Sequence, residues 1–273
     1  MKQSLLVFFL IFLLFFLLKK NIIQNFTNNN QDATILINSV NPLKSDLTRS
    51  IFGCLNQKGV NVKVIVVTIE GDETINIVNQ IKNKNLDLLV IDKNKHPGKG
   101  PRGIYYQINE GLKKINTRYY SYFSSNDEIY PTKIMNEIKN IVNDDSIACF
   151  SNFLITHNGG KTVKHQKKPI INKKNLIKGC FINDCATIDL IKYKDRKKKN
   201  LYFDYMKYSN DCYYELWLDL VCNLGNNSIS YNDNIEWHYI RDENKSQSLQ
   251  TKKNEKKMRE KLRVRNILLN KYK

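Results

Sequence analysis

The stretch VKVIVVTIEGDETINIVNQI, residues 62–81, sets a short apolar run against a polar turn and then an amphipathic segment. Residues 62–67 are rich in Val and Ile and bounded by turn residues, which reads as a strand. Residues 75–81 read as the helix that follows it. The same pairing recurs on both sides: 34–37 with 47–55 before it, then 86–91 with 104–115 and 119–123 with 131–142 after it. Four strand-helix units in series predict an α/β domain with a mostly parallel sheet flanked by helices. Right-handed crossovers in such a sheet gather ligand sites at the carboxyl ends of the strands, so the loops after these strands are where chemistry is expected.

Beyond the four units lie an apolar run at 147–154 and a Lys- and Gly-rich segment, THNGGKTVKHQKKP (156–169), which reads as a loop or irregular hairpin. The second half, from 170 to about 239, holds CFINDCATIDLI (180–191), the basic run KYKDRKKKN (192–200) and an aromatic helix over about 211–222. Residues 250–273 form a highly charged helical tail, its basic face turned to a membrane or to water. At the other end, Lys2 precedes an unbroken apolar run from Leu5 to Leu18 that Lys19 and Lys20 close. That run is short against the roughly 20 residues that span an average bilayer, and no small-residue cleavage site follows it. An uncleaved signal anchor over residues 1–20 is the expectation, ahead of a cleaved signal or a buried helix. It implies a single-pass membrane protein with a polar linker at 21–32 and a luminal domain at 33–249; a cytosolic domain is the alternative.

The chain has 273 residues, 41% of them hydrophobic, enough for one main core. Its formal net charge of +18 favours anionic partners: nucleotide diphosphates, acidic glycans, phospholipid headgroups or nucleic acid. Nucleic acid is not expected, because the chain carries no compact aromatic-basic motif and opens with a hydrophobic run. None of the six cysteines forms a CxxC pair, which argues against structural zinc. Cys180 with Cys185, or Cys212 with Cys222, can form disulfides in an oxidising compartment; buried free thiols are the alternative. Three glycosylation sequons, at Asn25, Asn226 and Asn244, agree with a luminal domain.

The most informative segment for chemistry is YYSYFSSNDEIYP (119–131), where an aromatic strand runs into Ser124, Ser125, Asn126, Asp127 and Glu128. Carboxylates at a strand's carboxyl end can hold a hard cation and its attached diphosphate, or can simply cap the next helix.

Taken together, TILINSVNP (34–42), VIVVTIEGDET (64–74), GIYYQINEGLKKI (103–115) and FSSNDEIYP (123–131) resemble the family 2 inverting glycosyltransferases of the GT-A fold, in order and spacing. The segment RGIYYQINEGL (102–112) is similar to that of members acting on polysaccharide or glycolipid acceptors. Weaker likenesses continue in CFSN (149–152), FDYMKYSNDCYYELWLDL (203–220) and IRDENKSQS (240–248). The resemblance implies a GT-A (Rossmann-related) domain whose residues 33–135 bind a nucleotide-diphospho-sugar and whose residues 136–249 bind a glycan, glycolipid or glycoprotein acceptor. It also implies a divalent cation, Mn or Mg, and a carboxylate base.

Carried over by position, the resemblance puts Ser39, Val40 and Asn41 after the first strand and Glu70 and Asp72 after the second against the nucleotide, with a lean to uridine. Arg102 and Asn109 lie on the donor-lining segment. Asp127, with Asn126 beside it and His238 from IEWHYIR (235–241), would hold the metal, and Arg241 would reach the diphosphate. Asp211 takes the place of the general base, with Glu215, one helical turn on, as the fallback. Asn126 and Asn210 stand where the family places acids. That departure favours a second reading, a GT-A-like protein that binds nucleotide-sugar or glycan without turnover.

Overall fold

The computed structural model describes residues 32–98, 100–157, 162–164, 169–241 and 255–272. The expected anchor and nearly all of the linker fall outside them, and no helix among the described residues is long and apolar enough to cross a membrane. The linker ends one residue earlier than expected, because Asp32 already pairs with Asn61 in the sheet.

Four strand-helix units build the first half: β1 (Asp32–Asn38) with α1 (Lys44–Leu55), β2 (Asn61–Ile69) with α2 (Thr74–Asn79), β3 (Leu86–Ile91) with α3 (Pro101–Leu112), and β4 (Tyr119–Ser124). A two-residue strand, β5 (Glu128–Ile129), separates β4 from its helix α4 (Lys133–Asn143). The strands lie in the order β3-β2-β1-β4, all parallel. A parallel strand is covered on both faces, so β1 is apolar at successive positions. Ile35 and Ile37 face one core with Leu47 and Ile51 of α1 and Ile134 and Ile138 of α4, while Leu36 faces the other with Tyr105 and Ile108 of α3. Gly111 lets α3 come close: a Cβ there would sit 2.3 Å from Leu36 Cδ1.

The second half departs from the expected parallel sheet. β8 (Thr187–Asp189) runs antiparallel to β4, and β6 (Ala148–His157) antiparallel to β8. β9 (Ile229–Arg241) is parallel to β6, and β5 antiparallel to β9. With β7 (Thr162–Lys164) forming a hairpin on β6, the nine-stranded sheet is mixed. β5 and β8 are two and three residues long, too short to leave a periodic pattern in the sequence.

Helices α5 (Lys173–Lys178), α6 (Leu190–Lys197), α7 (Tyr205–Tyr208) and α8 (Cys212–Leu224) follow. The charged tail forms α9 (Glu255–Tyr272), and it does not lie wholly in water: Val264, Leu268 and Tyr272, four residues apart, join the core beside α8. All six cysteines are free thiols, four of them buried, so neither candidate disulfide forms. Beneath the sheet end, the buried Lys133 ammonium bonds Glu137 Oε2 at 2.7 Å and the Cys185 carbonyl, and Glu137 also accepts from Ser151 Oγ and the Thr187 N–H. These bonds compensate the cost of burying the pair and tie α4 to β8.

Candidate functional site

A cleft of about 1050 Å³ opens where the parallel strands end, on the line between β1 and β4 where the strand order reverses. Its first wall comes from the loops after β1 and β2. Asn38 is oriented by Tyr122, whose hydroxyl donates to Oδ1 at 2.5 Å. Ser39 is buried, with its hydroxyl on Thr74 Oγ1 at 3.0 Å, while Val40 and Asn41 line the cleft. Asn41 adopts the left-handed conformation, φ 50°, and its N–H donates to Asp72 Oδ2 at 2.8 Å. Oδ1 of Asp72 accepts from the N–H and hydroxyl of Thr74. Asp72 thus locks the two loops together while its edge remains on the cleft wall. Glu70 is exposed on the same wall.

The second wall is the loop leading into α3. Lys93, His96, Gly98, Gly100 and Gly103 line it. A Cβ on Gly103 would collide with the Gly98 carbonyl at 2.2 Å, so glycine is what allows the loop to fold back on the helix start. Burial lowers the His96 pKa and favours the neutral imidazole. Gln107, buried and lining the cleft, accepts weakly from Asn38 while its Nε2 has no partner among the described residues. Trp237 Nε1, also on the cleft, is likewise without an acceptor among the described residues. Buried donors without acceptors are costly, so these two suit a polar ligand or water. The structure puts Arg102 on the exposed surface and outside the cleft lining. Asn109 is also elsewhere: its amide clamps Phe203, donating to the carbonyl at 2.8 Å and accepting from the N–H at 2.9 Å.

The floor is the acidic loop after β4. Ser124, Ser125, Asn126 and Asp127 line it. Asn126 is fully engaged, accepting from Ser124 Oγ at 2.6 Å and donating to the Ile240 carbonyl at 3.2 Å. Asp127 is buried, and its Oδ1 accepts the Ile240 N–H at 3.0 Å. Burial pushes its carboxyl up to about 7 against the opposing pull of that N–H and of Arg49. Glu128 turns away to Arg49 Nε at 3.2 Å and His238 Nδ1 at 3.3 Å. His238 does not join Asp127. Its Nε2 meets Thr156 Oγ1 at 2.6 Å, so both ring nitrogens are occupied outside the cleft. Among the described residues no three His, Cys, Asp or Glu side chains group as a metal site. The side chains of Asn210 and Arg241 lie outside the described residues.

The remaining wall holds a carboxylate that sequence reasoning passed over, Asp184 in the turn before β8. Asp184 is exposed on the cleft, so water offsets part of the desolvation that, with the like charge of Asp211, raises its carboxyl pKa. Asp211, at the start of α8, is not part of the cleft lining. Glu215 is committed elsewhere, its Oε1 accepting from Lys271 Nζ and the Tyr272 hydroxyl, both at 2.8 Å, which anchors α9. The only signal for Asp184 in the sequence is an Asn-Asp pair in an apolar segment, which is indistinguishable from an ordinary turn.

No family model and no curated protein sequence matches the chain. Solved structures do. The S. aureus TarS fragment 1–349 superposes with a TM-score of 0.58 at 18% identity, over 77% of this chain and 60% of that one. The same fragment with UDP gives 0.59 at 16% identity, over 87% and 65%. With UDP-GlcNAc it gives 0.55 at 16%, over 78% and 59%. The chain shares the fold of these structures. It spans about three-fifths to two-thirds of the length of these neighbours.

Proposed function

We propose that this protein is an inverting glycosyltransferase that moves a sugar from a nucleotide-diphospho-sugar, with uridine as its base, to a hydroxyl of a glycan, glycolipid or glycoprotein. The observation that supports this best is the cleft at the strands' carboxyl ends, floored by Asp127, in a fold shared with proteins whose structures hold UDP and UDP-GlcNAc. The β1 and β2 loops, locked through Asp72, give the nucleoside a fixed wall. The Gly98–Gly103 loop lets backbone approach the diphosphate closely, and Lys93 brings a positive charge to the same wall. Gln107 Nε2 and Trp237 Nε1 offer donors to sugar or phosphate oxygens.

Asp127 fits a cation carried in with the donor, since one carboxylate plus substrate phosphates is a common way of holding Mg²⁺. A bound Mn²⁺ or Mg²⁺ would stabilise the negative charge of the leaving diphosphate. A carboxylate supplies the base side of the reaction, as the acceptor hydroxyl must lose its proton while it attacks the anomeric carbon. The apolar run at 5–18 suits an anchor that keeps the domain beside a membrane and its acceptor.

The test is turnover of a UDP-, GDP- and dTDP-sugar panel by the full chain with Mn²⁺ or Mg²⁺, beside its Asp127→Ala variant. Nucleoside diphosphate release from one donor, lost in the variant, is the expected result. The second reading, a nucleotide-sugar-binding protein without turnover, draws on Asn126, whose amide is spent on Ile240 and Ser124. Saturable UDP-sugar binding with no product under any metal would establish it.

A further inference from the structure

A second, smaller cavity of about 140 Å³ adjoins the cleft, and Asp184, Tyr122 and Ile104 line both. Its other walls are the rings of Tyr105 and Tyr213 with Pro101 and Ile108, and among the described residues no lysine or arginine lines it. The wall is rigid. Tyr213 is buried, its hydroxyl 2.9 Å from that of Tyr120 and its ring against those of Tyr105, Phe203 and Trp217. The turn that presents Asp184 is held by hydrogen bonds on both sides. Asn183 donates to the Ser151 carbonyl at 3.0 Å and accepts from the Cys185 N–H at 3.1 Å, while Ser121 Oγ and Lys133 Nζ both donate to the Cys185 carbonyl. Asp184 itself is the open member of this turn, on the boundary between the two spaces.

From this placement we infer that the small cavity is the acceptor subsite for a neutral sugar ring, and that Asp184 is the base that takes the proton from its attacking hydroxyl. The inference rests on the glycosyltransferase reading. Tyrosine rings offer apolar faces to the C–H face of a sugar, and a wall with a carboxylate and no cation disfavours a phosphate or a carboxylate at that position. In the step, the acceptor O–H proton passes to an Asp184 oxygen and the acceptor oxygen bonds the anomeric carbon. The bond from that carbon to the diphosphate oxygen breaks, and its electron pair leaves with the nucleoside diphosphate. Asp211 acts through Asp184 as a positioning residue: its like charge raises the proton affinity of the base. The other titratable groups that bear on this turn are Cys180, Cys185, Cys212 and the tyrosine hydroxyls of the cavity, each with its pKa raised by desolvation, together with Asp127 and the buried Lys133–Glu137 pair.

The experiment uses the full chain with UDP-GlcNAc as donor and p-nitrophenyl monosaccharides as acceptors, in four forms: wild type, Asp184→Asn, Asp184→Phe and Asp211→Asn. UDP affinity is measured by calorimetry and glycoside binding by saturation-transfer NMR. Asp184→Asn is expected to lose about 10²–10⁴-fold in kcat with glycoside binding kept. Asp184→Phe, which blocks the mouth of the small cavity, is expected to lose glycoside binding while UDP still binds. Asp211→Asn is expected to keep most of its kcat and to move the acid limb of the pH profile to lower pH, because removing a like charge lowers the Asp184 pKa. Asp184→Asn at wild-type kcat, with Asp211→Asn inactive, overturns the assignment of the base. Glycoside binding unchanged in Asp184→Phe, or absent in a wild type that binds UDP, overturns the subsite. A wild type that binds neither UDP nor UDP-GlcNAc refutes the parent reading instead.

Discussion

The backbone N–H of Ile240, near the end of β9, donates to Oδ1 of Asp127 at 3.0 Å, across 113 positions of sequence. This bond ties the acidic loop of the first half to the last strand of the second, and it leaves the other carboxylate oxygen for the cleft. Asp127 is buried and its carboxyl pushed up to about 7. Below about pH 4 the group is protonated in both folded and unfolded chains; between about 4 and 7 the unfolded chain ionises first, so stability falls as pH rises. Asp127→Asn keeps an acceptor for Ile240 and removes this slope. Its unfolding free energy should match wild type near about pH 3 within experimental scatter and exceed it by on the order of 2–4 kcal/mol near about pH 8. Urea titrations at the two pH values measure this, and a wild type that gains stability over that range refutes it.

Asn109 is a structural clamp. Its replacement by Ala strips the partner from the buried Phe203 N–H and leaves the carbonyl only the Tyr205 N–H, and should cost about 1–3 kcal/mol in chemical denaturation. UDP affinity of the folded variant should stay within about twofold of wild type. A large loss of UDP affinity without loss of stability would return Asn109 to the donor site.

Lys133 lies outside the cleft but holds the Cys185 carbonyl next to Asp184. Glu137→Ala strands its ammonium in the core and should destabilise by about 3–5 kcal/mol. Lys133→Met releases the turn as well, and a base displaced by a fraction of an ångström should lower kcat about tenfold with little change in UDP affinity. Unchanged kcat in a folded Lys133→Met protein would separate the buried pair from the positioning of Asp184.

Asp72 accepts from Asn41 on one oxygen and from Thr74 on the other. Asp72→Ala leaves both loops without their shared acceptor, so UDP affinity should fall about tenfold, or about 1.4 kcal/mol. Calorimetric titration with UDP reads it directly. Equal affinity in the variant would mean that the nucleoside wall does not depend on this lock.

Exposed Arg102 and solvent-facing lysines give no comparable handle. Removing Glu215, by contrast, should loosen α9 from α8 through loss of its bonds to Lys271 and Tyr272, seen as earlier proteolysis of the C-terminal helix at little cost to UDP binding.

Local pattern was enough to write the first half of the fold from sequence. Runs such as 62–67 and helices such as 47–55 carry their own periodicity, and a parallel sheet built from them places its ligand loops by chain geometry alone. Those loops, together with the family resemblance, pointed to Val40, Asn41, Glu70, Asp72, Asn126 and Asp127, which line the cleft. What the sequence left open is decided by contacts between distant segments. Only the register of β5 against β9 reveals that His238 answers Glu128 and Thr156 instead of Asp127. Only the packing of α9 takes Glu215 away from the cleft, and only the clamp on Phe203 does so for Asn109. The carboxylate facing the cleft, Asp184, comes from a turn whose position depends on Lys133, Ser121 and Ser151 in three other elements. Periodicity records which face a residue buries; it cannot record which distant partner a polar side chain will meet, because that partner is fixed only when the sheet closes.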